Sequence, residues 1–501
     1  MTKPIILIRP NIFIRKGFDL QNKVYPPIGL AYLAGALRNA GHLPVIIDMV
    51  AETPENKWDY HNTHTAYGLT EQELVDRLTQ FEPLIIGISA FTIQHRRLIE
   101  LVKTIKNTFP TTPVVLGGIH ASSVPDQLLE QTEADYVILG EGEDSLVALA
   151  NAILSGCLDN IPAIDGIAYR TETGFIVKAK TSFINELDSI PVPARDLLKN
   201  EIYQAYGSGM PVITSRGCPY QCTFCCVGKT QGRGWRCRDP LYVVDEIEHI
   251  VKELNYHTIT FFDDSLNIKP ERLIAICQEI VRRKLNITIL VPSSLVIKHL
   301  TKETLYWLKM AGCMAVSLPF EHSDETIRNK VIHKGLSNES FEQVLSWCRE
   351  LEILSLVNFV IGMPGESLES LASLNEYVRK NAFVMDAITV YIGTPFPGTP
   401  FFDECLLEGY MENPRQNDYI QLDLYECVID TPTASATLLN QYKRIIEKTF
   451  FDARGESYPN QIIRKAIRKP DRETIEYINA TYFPKLCEGL ARTSPEVGGL
   501  S

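Results

Sequence analysis

The chain has 501 residues, 45% hydrophobic and 22% charged, with 49 basic and 61 acidic side chains giving a formal net charge of −12. That length predicts two or three domains, and the composition excludes a disordered or collagen-like chain. The acidic balance disfavours a nucleic-acid binder, because phosphate attraction needs a positive surface.

The first 150 residues alternate short apolar strands with helices. Strands are predicted at Ile5–Ile8, Pro44–Asp48, Leu84–Ser89, Val114–Gly117 and Tyr136–Leu139. Helices are predicted at 28–40, 71–81, 97–109, 125–132 and 143–154. The N-terminal apolar run is too short for a signal peptide, and no stretch approaches the ~18–20 apolar residues of a membrane span, so a cytoplasmic protein is expected. Such a rhythm predicts an α/β, flavodoxin-like, doubly wound parallel sheet, with ligands beyond the carboxyl ends of its strands. Ile167–Arg170 and Phe175–Lys178 read as a hairpin within a linker, 156–204. From 205 to 430 the alternation resumes. Strands are predicted at Val212–Ser215, Ile259–Phe262, Thr288–Val291, Ala315–Leu318, Leu356–Ile361 and Ala387–Tyr391, and helices at 241–254, 270–283, 301–310, 324–331, 339–351 and 367–380. Six such units predict a partial (β/α)6 TIM-type barrel. Residues 431–501 read as a helical C-terminal region covering the barrel, with Leu438, Leu439, Tyr442, Ile445, Ile446 and Phe450 at helical spacing and Tyr458, Pro459 and Ile462 continuing it.

The strongest chemical signal is Cys218-Pro219-Tyr220-Gln221-Cys222-Thr223-Phe224-Cys225, a C-x3-C-x2-C directly after the first barrel strand. Barrel enzymes place their chemistry at that end. In a chain without a secretion signal, cysteines are metal ligands, redox groups or buried thiols rather than disulfides. A structural zinc site wants four closed ligands, with Cys226 and Cys237 available as a fourth. Three thiolates on a [4Fe–4S] cluster leave one iron open to a ligand.

This triplet, with Phe224 before its last cysteine, resembles the radical S-adenosylmethionine superfamily. Further matches are Phe261-Phe262-Asp263-Asp264-Ser265, Ser317-Leu318-Pro319-Phe320-Glu321-His322 with Lys334 after it, Gly362-Met363-Pro364-Gly365-Glu366-Ser367 and Pro395-Phe396-Pro397-Gly398-Thr399. The fourth-strand segment departs from the usual Gly-x-Glu-Ser. The resemblance implies that Cys218, Cys222 and Cys225 hold the cluster. It also implies that Phe224, Asp264, Glu321, Gly362 and Pro364 contact S-adenosylmethionine, whose reductive cleavage yields a 5′-deoxyadenosyl radical. A low-potential electron donor of flavodoxin or ferredoxin type follows from the same resemblance.

In residues 1–155, Pro26-Pro27-Ile28-Gly29, Gly41-His42, Gly117-Gly118-Ile119-His120 and Gly140-Glu141-Gly142-Glu143 resemble the cobalamin-binding domain of the class B methylase-like subfamily. Ser89, Thr92, Gly117, Gly118, His120, Gly140, Glu141 and Gly142 are the cobalamin-binding candidates, on loops that follow strands at one sheet edge. The chain lacks the Asp-x-His-x-x-Gly that ligates cobalt elsewhere: Asp59-Tyr60-His61 is followed by His64, where glycine is required. The resemblance thus implies cobalt without a protein histidine beneath it.

The expected activity is methylation of an unactivated carbon on a small molecule, lipid or peptide. A non-methylating radical cyclisation, rearrangement or oxidation, as in anaerobic porphyrin-ring cyclases, shares every cofactor motif. Transfer RNA methylthiolation would need an appended RNA-binding β-domain, and a cluster or cobalamin sensor would have no use for the S-adenosylmethionine motifs.

Overall fold

The computed structural model describes residues 3–17, 24–89, 91–414, 419–424 and 426–454. It forms two compact units, Met1–Tyr242 with Thr394–Asp430, and Val243–Gly393 with Thr431–Ser501.

The first unit begins β1 (Ile5–Arg9), β2 (Ile12–Arg15), α1 (Ile28–Asn39), β3 (Pro44–Asp48), α2 (Met49–Glu52), β4 (Lys57–Tyr60), β5 (His64–Tyr67), α3 (Glu71–Leu78) and β6 (Ile85–Ser89). It continues α4 (His95–Thr108), β7 (Val114–Gly117), α5 (Ile119–Ser123), α6 (Pro125–Gln131), β8 (Tyr136–Ile138), α7 (Glu143–Ser155), β9 (Ile167–Thr171) and β10 (Gly174–Val177). The main sheet runs β10-β9-β8-β7-β6-β1-β3. The five predicted strands are parallel. Successive strand residues point to opposite faces. Accordingly Ile5 and Leu7 join a core with α1 and α7, while Ile6 and Ile8 join one with α3, α4 and α6. Both faces are covered, as in a doubly wound fold. β1 has β3 on one side and β6 on the other, so the strand order reverses between β1 and β6, and a ligand crevice opens outside their carboxyl ends.

The structure differs from the sequence reading at several places. The hairpin expected as a linker ribbon extends the main sheet, because β9 pairs antiparallel with β8. A second sheet, β2-β5-β4, had no visible signal: its strands are four residues long, and β4 alternates exposed and half-buried side chains. Farther on come α8 (Asn200–Ala205), β11 (Met210–Val212), β12 (Ser215–Arg216), α9 (Val227–Thr230) and β13 (Arg236–Cys237). The strand predicted at 212–215 is thus split, and β12 pairs antiparallel with β13.

α10 (Pro240–Leu254) crosses into the second unit, followed by β14 (Thr258–Phe261), α11 (Pro270–Arg282), β15 (Thr288–Val291), α12 (Lys302–Met310), β16 (Cys313–Glu321), α13 (Asn338–Glu350), β17 (Leu354–Ile361), α14 (Leu368–Lys380) and β18 (Ala387–Ile392). β14 to β18 lie in chain order, all parallel. The helix expected at 324–331 is one turn of π-helix, Ile327–Val331. Segment 394–430, with α15 (Pro400–Leu407), belongs to the first unit, where Phe402, Tyr419 and Leu422 form a small core of their own. α16 (Ala436–Arg454) packs on α14 and β18, where Arg454 donates to the carbonyls of Ala382 and Met385 at 2.8 Å. Tyr458, Pro459 and Ile462 lie outside the described residues. Among the described residues no helix is long and apolar enough to cross a membrane.

Candidate functional site

The three cysteines occupy the irregular loop after β12. All three are half-buried, as are Cys226 and Cys237, and none of the five forms a disulfide. The loop folds on itself: Cys225 N–H donates to Cys222 O at 3.1 Å, and Arg233 donates to Tyr220 O. Gly217 makes the bend possible. Its φ is +84°, and a Cβ there would lie 2.3 Å from Gly234 O. Burial raises the Tyr220 hydroxyl above its ordinary value, and the neighbouring Cys218 and Cys222 add to this. Among the described residues no three His, Cys, Asp or Glu side chains converge tightly enough for a single metal ion. A cubane takes one thiolate per iron, whereas a structural zinc site closes four ligands round one ion. Three half-buried thiols on one short loop fit such a cluster.

The loop is held at its base by charge. Arg216 donates to Glu143 at 2.6 Å and faces Glu141 at 3.3 Å, and Arg236 grips Glu141 at 2.8 Å. Ile184 N–H donates to the same Glu141 carboxylate at 2.9 Å. Arg216, Arg236, Glu141 and Glu143 side chains are all nine-tenths or more buried. Burial opposes ionisation of Glu143, but the Arg216 guanidinium outweighs it and holds the carboxyl below its ordinary value. The Gly-Glu-Gly-Glu motif therefore ties the strand end of the cofactor edge to the strand that launches the cysteines. The Glu141 carboxylate is thus engaged by two guanidinium groups and a backbone N–H.

At the cofactor edge, Gly117 has open space where a Cβ would project, and Gly118 has φ +94°. Ser122 Oγ accepts Gly140 N–H at 2.9 Å, joining the loops after β7 and β8. α5 also packs on α9, the helix that follows the third cysteine. Ser89 and Gly142 are half-buried and Thr92 is buried. His120 departs from expectation. Its ring is fully buried, Nε2 lies 2.8 Å from His95 Nδ1, and Tyr419 packs edge-on against both rings. Burial, with His95 beside it, holds His120 well below its ordinary value and so neutral. Neither histidine of the Asp59 region faces a ligand crevice: His61 sits in a hairpin turn at φ +52°, and His64 Nε2 lies 3.1 Å from Asp423.

Sequence reasoning passed over Phe91. It lies directly beyond β6, at the strand-order reversal, and is 53% exposed. Its N–H donates to Gln94 Oε1 at 2.7 Å, and buried Gln94 in turn donates to Asn11 O beyond β1. An exposed aromatic side chain at the place where a doubly wound fold takes its ligand fits a broad planar group. The signal available was its place in Ser89-Ala90-Phe91-Thr92.

In the second unit, Glu321 ends β16 with φ +72°, a strained conformation for a side-chain-bearing residue. Lys334 Nζ holds its carboxylate at 2.7 Å. Gly362 and Gly365 turn the chain after β17 at φ +93° and +86°. Pro364 sits between them, and a Cβ on Gly393, beyond β18, would meet Met363 Sδ at 3.0 Å and Gly362 O at 3.3 Å. Asp264 is half-buried beyond β14, in a loop stitched to the next by Asn267, which exchanges hydrogen bonds with Val296 at 3.0 and 2.7 Å. Glu321, Lys334 and the glycine turn thus stand at adjacent strand ends of one parallel sheet. An acidic side chain and a backbone-rich turn there suit the ribose, amino and carboxylate groups of S-adenosylmethionine. Phe224 is half-buried beside Cys225 in the first unit.

A doubly wound sheet with an open glycine edge, a three-thiol loop and a parallel βα array define a two-cofactor α/β enzyme. Residues 22–150 match the B12 binding domain and residues 212–378 the radical SAM superfamily. An uncharacterised methyltransferase of Pyrococcus horikoshii is 27% identical, across 79% of this chain and 82% of its own. The anaerobic magnesium-protoporphyrin IX monomethyl ester cyclase of Cereibacter sphaeroides is 29% identical, across 80% of this chain and 63% of its own. The structure of the radical S-adenosylmethionine methyltransferase TsrM from Kitasatospora setae, with cobalamin and a [4Fe–4S] cluster bound, shares the fold at TM-score 0.66 and 23% identity, covering 83% of this chain and 80% of that one. The chain thus carries a B12-binding domain followed by a radical SAM domain, a pair that implies a [4Fe–4S] cluster, S-adenosylmethionine and cobalamin as cofactors.

Proposed function

We propose that this enzyme transfers a methyl group to an unactivated carbon of a small molecule, lipid or peptide, with reducing electrons from a low-potential flavodoxin- or ferredoxin-type donor. The carrying observation is that the three-thiol loop and the open glycine edge are tied within one unit through Arg216, Glu141 and Glu143. Bound at these places, the cluster with S-adenosylmethionine would supply a 5′-deoxyadenosyl radical and the cobalamin a methyl group.

The chain's own residues bind and orient. Cys218, Cys222 and Cys225 hold the cluster and leave one iron open. Gly117, Gly118, Gly140 and Gly142, with Ser89 and Thr92, line the corrin edge, and Phe91 offers it an aromatic face. In the second unit Asp264, Glu321 and the Gly362–Pro364 turn would hold S-adenosylmethionine, with Lys334 fixing the Glu321 carboxylate. A cyclase among the relatives supports a second reading, a non-methylating radical reaction on the same cofactors.

The test is anaerobic reconstitution with iron, sulfide and hydroxocobalamin, followed by assay of the reduced enzyme for 5′-deoxyadenosine and S-adenosylhomocysteine. Both products, with cobalt bound, support methyl transfer. Cobalt with 5′-deoxyadenosine alone supports the second reading. Protein that retains iron but no cobalt refutes the corrin edge.

A further inference from the structure

β16 and β17 are neighbours, and the loops leaving them carry Glu321 and the Gly362–Gly365 turn. His322 and Glu366, directly beyond these contacts, face one another. Both are fully buried. His322 Nδ1 accepts Asp324 N–H at 2.9 Å, so the neutral ring carries its proton on Nε2. Glu366 Oε2 accepts Gly362 N–H at 2.8 Å, which makes this carboxyl the clamp of the glycine turn. The backbone carbonyl of Glu366 accepts the Thr433 hydroxyl. His322 Nε2 and Glu366 Oε1 remain, 3.9 Å apart, each buried and each without a hydrogen-bond partner. That separation is just beyond hydrogen-bonding range.

The surrounding charges are accounted for. Lys334 neutralises Glu321. Asp324 lies beside the His322 ring, and Arg328 donates to His322 O at 2.5 Å while pairing with Glu325 at 3.0 Å. The turn itself contributes glycine, methionine and proline. Burial pushes the Glu366 carboxyl up to about 8, against the pull of the Gly362 and Met363 N–H groups. Burial pushes the His322 ring down to about 4. Near neutral pH the pair is therefore uncharged. Above pH ~8 Glu366 ionises, and its oxygen becomes a strong acceptor for His322 Nε2–H.

We propose that His322 and Glu366 are positioning residues for S-adenosylmethionine, whose mutual hydrogen bond, made or broken, sets the glycine turn against Glu321 and thereby the cofactor's affinity. The inference rests on the assignment of Glu321 and the turn to S-adenosylmethionine. Ionised Glu366 locks both loops and adds a negative charge near a cationic ligand, so affinity rises with pH.

The test is equilibrium dialysis of radiolabelled S-adenosylmethionine against the cluster-loaded full chain, from pH ~6.5 to ~9. The wild type, Glu366→Gln, Glu366→Ala and His322→Gln are compared. The ligand's own ammonium titrates in all four, so the difference between profiles is the readout. The wild type should gain about fivefold in affinity over that range relative to Glu366→Gln, the scale of one charge-assisted hydrogen bond shared with the turn. Glu366→Gln, which keeps an acceptor for Gly362, should match wild type at low pH. Glu366→Ala should bind weakly throughout, and His322→Gln should lose the pH step. Superimposable wild-type and Glu366→Gln profiles overturn the proposal, and they do so even if Glu366→Ala fails to fold. If Glu321→Gln and Glu366→Ala both bind as the wild type does, the assignment of this site to S-adenosylmethionine falls, and the proposal with it.

Discussion

Replacing Arg216 with methionine keeps an unbranched side chain and removes the charge that holds Glu143. Glu141 retains Arg236 and the Ile184 N–H, so one carboxylate, not two, is left buried without its guanidinium. Breaking a buried pair in this way costs about 3–5 kcal/mol. The lost contact of Arg216 over the Tyr32 ring, 5.1 Å from its centroid, adds about 0.5–2 kcal/mol. Glu143 can escape by binding a proton, which gives the loss a pH signature. In the wild type the folded-state value is depressed, so its stabilisation is complete above the ordinary carboxylate range and is lost as pH falls through the folded value. In Arg216→Met burial is opposed only by a backbone N–H and by Lys180, so that value rises and the variant recovers on acidification. Urea unfolding followed by circular dichroism should show a deficit of about 3.5–7 kcal/mol at pH ~7.5 that narrows toward pH ~5.5. Arg216→Met combined with Glu143→Leu should restore most of it, because well-packed apolar replacements of buried ion pairs are tolerated. A deficit under ~1 kcal/mol at pH ~7.5, or one that stays constant with pH, refutes the clasp.

Other perturbations reach the remaining parts. Cys218→Ala, Cys222→Ala or Cys225→Ala should each abolish 5′-deoxyadenosine formation and lower bound iron, whereas Cys226→Ala should leave both intact; iron analysis and chromatography check this. Phe91→Ala should weaken cobalamin retention about 3–10-fold, the worth of one aromatic contact, as measured by cobalt content after gel filtration. Asp423→Asn should loosen segment 394–430, because Asp423 is held by Arg15 at 2.6 Å and His64 at 3.1 Å, and limited proteolysis should cut there sooner. Phe341→Ala, which empties the ring stacked 3.8 Å from Phe320, should cost about 3–5 kcal/mol by urea unfolding.

Local pattern was enough for the strand–helix rhythm and for the chemistry of the three cysteines. Ile5-Ile6-Leu7-Ile8 could only be a strand covered on both faces, and the two cores on either side of it follow from that. The thiol spacing lies within eight consecutive residues, so no folding step is needed to bring those donors together. Motif glycines also announced themselves: Gly117 ends β7, and Gly118 and Gly362 sit directly beyond strand ends, as their order in the chain required. What the chain order does not contain is which distant charge meets which. Glu143 pairs with a guanidinium 73 residues away and His64 with a carboxylate 359 residues away, and only the folded sheet edges choose those partners. The same packing turned His120 inward toward His95 and Tyr419, and it left Phe91 outside at the strand-order reversal. A side chain's type is written locally, but its burial depends on neighbours contributed by other elements, and so the roles of Glu141, His120 and Phe91 were decided by tertiary structure.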